Sequence, residues 1–259
     1  MGIEHTTAEA ATTGSEVSPT RRAELSERLA AVRRRIAAAC AAAGRGTDEV
    51  ALMAVTKTVS AADVAALLDL GVDLLGENRV QEATRKVEAV ATLRPTARPR
   101  WHLIGGLQRN KVRAVVCWAE QVESLDSVRL ADALDVAVRR RVDTGERASS
   151  LSVLVQYSVD GDPKRGGVPR SDLLRLAEHV EGCAGLRLAG LMAVAPLGVD
   201  VEAAFADIAS AAAVLRAAHP GAATLSAGMS GDLEIAIRHG CDVVRVGTAL
   251  VGERTLASP

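Results

Sequence analysis

Along the chain, short runs of apolar and β-branched residues alternate with longer stretches in which apolar positions recur every three or four residues. The short runs predict strands at residues 50–57, 72–76, 100–104, 121–124, 151–159, 186–194, 224–227 and 242–246. The stretches between them predict helices at 61–70, 81–93, 109–118, 128–142, 171–180, 201–218 and 233–238. Ahead of the first strand, Leu25, Leu29, Val32, Ile36 and Ala39 share one face of a further helix over 19–43. Ser18 caps that helix, Pro19 opens it and Gly44 stops it. Strands alternating with helices mean parallel units. Eight units in about 210 residues fit a single α/β domain, a closed TIM-like (β/α)₈ barrel, with the N-terminal helix covering the wall beside the last strand. A doubly wound open sheet is the alternative, and the lack of a GxGxxG after the first strand speaks against it. Residues 1–17 are polar and are expected to be a disordered tail, leaving 18–259 as the barrel domain.

Composition narrows the class. Hydrophobic residues make up 48% but aromatics only 2%, so the core must be built of Ala, Val and Leu. A net charge of −1 gives no electrostatic case for nucleic acid or an acidic membrane surface. No apolar run approaches the roughly 20 residues of a membrane span, and the N-terminus lacks a signal-peptide pattern. Cys40, Cys117, Cys183 and Cys241 are far apart, with no CxxC pair, which suggests reduced thiols and a cytoplasmic setting rather than a zinc or disulfide framework.

Candidate chemistry collects at the C-terminal ends of the predicted strands, where parallel barrels place their sites. The first strand, VALMAVTK, ends in Lys57, one of only four lysines against 27 arginines. Arginine keeps its proton in water, whereas a partly desolvated lysine can lose it, and a neutral amine forms a Schiff base with an aldehyde. The bland alternative is a lysine that ends a strand and reaches water. Strand seven ends in Ser226-Ala227-Gly228-Met229-Ser230-Gly231 and strand eight in Gly247-Thr248. Such glycine-hydroxyl loops leave backbone N–H groups free to cradle a phosphate, although Ser226 and Ser230 could equally be ordinary helix caps. Arg245 lies between Val244 and Val246 and so points to the opposite face from both; Glu77 or Asp242 would be its unremarkable partner. A lysine facing a neutral phosphate cradle describes a site for a phosphorylated aldehyde, with pyridoxal 5′-phosphate (PLP) the leading candidate.

The segments LMAVTKTVS, DLLGENRVQE, WHLIGGLQRNK, ESLDS, GLMAV, LSAGMSGDLEIAI and VRVGTALVGER, spread in order across 50–254, resemble the PLP homeostasis proteins. These are single-domain barrels similar to the N-terminal domain of alanine racemase. The resemblance implies PLP as cofactor and Lys57 as the lysine bonded to it. It implies Asn78 near the ring, Ser226, Met229, Ser230, Gly247 and Thr248 around the phosphate, and Arg245 against the pyridine nitrogen. Gly106 stands where the family often has proline, and Pro163 where it often has serine before the loop lysine. Those loops are therefore left out of the expected site, and His102, Asn110 and Lys164 with them.

The chain is read as a carrier of PLP, expected to be a monomer and to lack catalytic turnover, whose partners besides PLP would be apo PLP-dependent enzymes. A PLP enzyme such as an amino-acid racemase is the main alternative, and a class I aldolase a second. Alanine racemase uses a tyrosine from a C-terminal domain as its second acid; this sequence ends at Pro259, just past the last strand, so no such domain is expected here. Tyr157, the single tyrosine, is read as a core or wall residue. An aldolase would pair its lysine with a carboxylate, for which Glu77 is the evident choice.

Overall fold

The computed structural model describes residues 16–252. Its strands are β1 (Ala51–Val55), β2 (Leu74–Glu77), β3 (Arg100–Leu103), β4 (Gln121–Leu125), β5 (Leu151–Tyr157), β6 (Leu186–Ala193), β7 (Thr224–Ser226) and β8 (Val243–Val246). They pair in chain order, all parallel, and β8 returns to β1, so the sheet is a closed barrel. The helices are α1 (Pro19–Ala42), α2 (Ala61–Asp69), α3 (Val80–Leu93), α4 (Val112–Val115), α5 (Val128–Asp143), α6 (Arg170–Glu181), α7 (Val201–Ala218), α8 (Leu233–Arg238) and α9 (Thr248–Val251). This is the (β/α)₈ barrel with an N-terminal helix that the periodicity predicts.

Three local differences have physical causes. The helix expected over 109–118 is only a 3-10 turn, Arg109–Lys111, followed by the four residues of α4. Three β-branched valines and no side-chain cap leave little to extend it. The short helix α9 follows Gly247 directly and was hidden within the expected phosphate loop. Of the expected tail, residues 1–15 lie outside the described residues; Glu16 pairs with Arg94 at 2.8 Å and Val17 packs on the core.

The main core lies between the outer barrel face and the helices. Helix α1 buries Leu25, Leu29, Val32 and Ile36 there, against α8, α9 and α2. Each such side chain contributes about 1.5–3 kcal/mol on burial. The barrel interior is different. Residues in the same register on neighbouring parallel strands share a face, and Met53 opposes Arg245, Gly76 opposes His102, His102 opposes Gln121, and Met192 opposes Ser226. The interior therefore combines small apolar groups around Met53 and Met192 with buried polar side chains. Close approach of β6 to β7 demands a glycine: a Cβ on Gly190, at φ 152°, would stand 1.9 Å from the Thr224 carbonyl oxygen.

Candidate functional site

A cavity of about 790 Å³ opens at the C-terminal end of the barrel. Lys57, Asn78, Met229, Ser230, Arg245, Gly247 and Thr248 all line it. Seven of the eight residues expected from the sequence are thus brought together by strands remote in the chain. A depression of similar size, about 760 Å³, lies between α4 and α5 on the outer wall and holds none of them.

Lys57 is exposed at the cavity wall rather than desolvated by burial, which corrects the expectation of a partly buried amine. It is the second residue of a tight turn in which Val59 N–H donates to the Thr56 carbonyl at 3.0 Å. The third residue, Thr58, has φ 63°, a place turns usually give to glycine. A β-branched residue held there costs about 1–3 kcal/mol and persists only where its surroundings fix it. On the next strand, a Cβ on Gly105 would come within 2.3 Å of the Asn78 carbonyl oxygen. Glycine at 105 therefore lets the end of β3 pass directly against the Asn78 backbone.

Arg245 is buried in the barrel interior and reaches the cavity. Neither Glu77 nor Asp242, the unremarkable partners considered from the sequence, bonds to it. Its Nη1 donates to Ser226 Oγ at 2.9 Å and its Nη2 to the Ala193 carbonyl at 2.7 Å. Ser226 Oγ in turn donates a hydrogen bond to Glu123 Oε2 at 2.6 Å. Asp242 instead accepts from Arg45 and from Leu225 N–H. Ser226 is fully buried and absent from the cavity wall. The phosphate contact expected of its hydroxyl is corrected on this ground: the hydroxyl is spent orienting Arg245. Burial pushes the Glu123 carboxyl up, but the hydrogen bond and charge of His102, the charge of Arg245 and the Ser226 hydroxyl outweigh it and hold the group below the usual carboxylate range. As a carboxylate, Glu123 Oε1 accepts from His102 Nδ1 at 2.7 Å.

The phosphate cradle can be tested on its amides. Met229 N–H is taken by Asp232 Oδ1. The N–H groups of Ser230, Gly231 and Thr248 have no partner among the described residues, and all three residues face the cavity. Unpartnered amides beside the Ser230 and Thr248 hydroxyls fit a phosphate group. Arg35 on α1 donates to the Ser230 carbonyl at 2.9 Å and pairs with Glu234 of α8, while Arg21 donates to the Val251 carbonyl at 2.8 Å. Helix α1 thus braces both cradle loops from outside.

Sequence reasoning missed the two buried acid clusters. Gln121 and Glu123 alternate with Val122 on β4, and that period of two was the available signal for an inward glutamate. Glu77 was considered as a partner for Arg245 and as an acid for an aldolase. It points out of the barrel to Lys86 Nζ at 2.7 Å and to Thr56 Oγ1 at 2.6 Å, and burial pushes its carboxyl up. Tyr157 donates to Asp207 on α7 at 2.7 Å, outside the barrel and away from the cavity.

Fold and site together define a parallel barrel that presents Lys57 and Arg245 to a neutral anion cradle. Residues 28–255 match the family described as alanine racemase, N-terminal domain. A pyridoxal phosphate homeostasis protein of Mycobacterium tuberculosis is 44% identical over 250 residues, covering 93% of this chain and 97% of the relative. The Escherichia coli protein of the same description is 36% identical over 234 residues, covering 89% and 97%. The structure of PipY from Synechococcus elongatus, with PLP bound, is 33% identical with a TM-score of 0.73, covering 88% of this chain and 100% of PipY. The chain belongs to the pyridoxal phosphate homeostasis protein family.

Proposed function

We propose that this protein binds PLP in the barrel-end cavity and serves PLP homeostasis, holding the cofactor for release to apo PLP-dependent enzymes without turning over amino acids. The observation that carries this reading is the meeting of Lys57, Arg245 and the unpartnered cradle amides in one cavity. Bound PLP supplies an aldehyde able to condense with an amine. In this reading Lys57 holds the aldehyde carbon, Ser230, Gly231 and Thr248 hold the phosphate, Gly247 and Met229 shape the cradle, and Asn78 and Arg245 meet the ring. The relatives' description and the PLP in PipY support the ligand.

Carriage rather than catalysis is supported by the charge pattern. A permanently cationic Arg245 at the ring nitrogen disfavours its protonation and so weakens the ring as an electron sink. The carboxylate on the cavity wall, Asp63, is paired with Arg21 at 3.0 Å. PLP-loaded protein incubated with L- and D-alanine in deuterium oxide should show no α-proton exchange above free PLP. Exchange at about 1 s⁻¹ or faster, lost in Lys57→Ala, would make this protein an enzyme.

A further inference from the structure

Lys86 and Glu77 are buried outside the cavity, Glu77 completely. Buried charges are poor sources of net stability, since hydrophobic replacements often serve as well. Their contacts point to another task. Lys86 Nζ donates to Thr56 O at 2.5 Å, Glu77 Oε1 at 2.7 Å and Glu82 Oε1 at 3.1 Å, which uses all three ammonium protons. Glu77 Oε1 also accepts from Thr56 Oγ1, and Glu82 Oε1 accepts from Thr58 N–H at 2.5 Å. The cluster therefore grips the residue before Lys57 through both backbone and side chain, and the residue after it through its amide. It also supplies the partner that keeps Thr58 in its left-handed conformation.

We infer that Lys86, Glu77 and Glu82 form a clamp on the turn that carries Lys57, and that Lys86 and Glu82 are positioning residues that aim the Lys57 amine into the cavity. This rests on the PLP reading of the same site and adds what sets the lysine's place. Helix α3 supplies Lys86 and Glu82, β2 supplies Glu77, and β1 ends in the turn, so three elements meet behind one side chain. A lysine on a strained, exposed turn would otherwise sample many positions, and covalent capture needs a narrow range of approach.

The test separates capture from binding. PLP reacts with Lys57, whereas pyridoxamine phosphate has the same ring and phosphate but no aldehyde. Glu82→Ala and Lys86→Met should slow capture of PLP, followed by absorbance, at least about tenfold, because small misplacements of a reacting group are that costly. Pyridoxamine phosphate affinity should stay within about twofold, since the cradle is untouched. Glu82→Gln keeps an acceptor for Thr58 N–H and should retain capture to within about threefold. Should Lys86→Met fail to fold, Glu82→Ala decides, at a side chain already part exposed. Capture at the wild-type rate in Glu82→Ala, or equal loss of both ligands, would overturn the clamp. Failure of the wild-type protein to capture PLP at all would overturn the underlying reading instead.

Discussion

Ser226 and Ser230 lie four residues apart and have different work. Ser230 stands on the cavity wall, while Ser226 is locked between Arg245 and Glu123 inside the barrel. Ser230→Ala should weaken PLP binding and leave pyridoxal, which has no phosphate, nearly unchanged. Ser226→Ala strands a buried guanidinium proton and a carboxylate oxygen, at about 1–3 kcal/mol, and should weaken both ligands alike. Parallel titrations of the two variants decide this, and a PLP-selective loss in Ser226→Ala would contradict the assignment. Glu123→Gln leaves Arg245 buried without its compensating charge and should destabilise the fold by about 3–5 kcal/mol at neutral pH. The Glu123 carboxyl is held below its ordinary value, so its contribution is present above the unfolded value and lost as pH falls through the lower folded one. Melting temperatures of wild type and Glu123→Gln should therefore converge as pH drops below the usual carboxylate range. The sequence marked both serines as loop hydroxyls. It could not rank them, because the partner of Ser226 lies 103 residues away on β4.

At the scale of elements, helix α1 was legible as a helix but not as part of the site. Its apolar face predicts packing on the barrel, and Arg33, Arg34 and Arg35 look like a solvated run. The structure gives Arg35 a specific role, holding Glu234 and the Ser230 carbonyl. Arg35→Ala breaks a half-exposed pair, and its stability cost should stay within about 1 kcal/mol. The same change frees the Ser230 loop and should raise the dissociation constant for PLP several-fold, with pyridoxal unaffected. An unchanged PLP affinity would remove α1 from the account of the cradle. Strand positions were legible because β-runs and helical spacing differ in period. The shortness of α4 and the presence of α9 were not, since four residues make barely one turn.

At the scale of the whole molecule, the described residues form a barrel whose outer seam is largely apolar and whose inner face sets a chain of buried polar side chains among apolar groups. Closure could be inferred from eight units and the inward turn of Arg245 from its apolar neighbours, but its partners could not, because the pairing register alone decides which side chains face one another. The cysteines report on the same packing. Cys117 is exposed, whereas Cys40, Cys183 and Cys241 are buried and burial pushes the Cys241 thiol up to about 12. A thiol reagent at neutral pH should label Cys117 first in the folded protein, lose that fast phase in Cys117→Ser, and reach Cys241 only on unfolding.

The central claim is that the Lys57 amine and the two cradle loops act on one bound PLP. Borohydride reduction of PLP-loaded protein, followed by peptide mass spectrometry, tests it most directly. The account predicts one pyridoxyl-phosphate label, on Lys57, abolished in Lys57→Ala. A label on Lys86, Lys111 or Lys164 that survives in Lys57→Ala would contradict it.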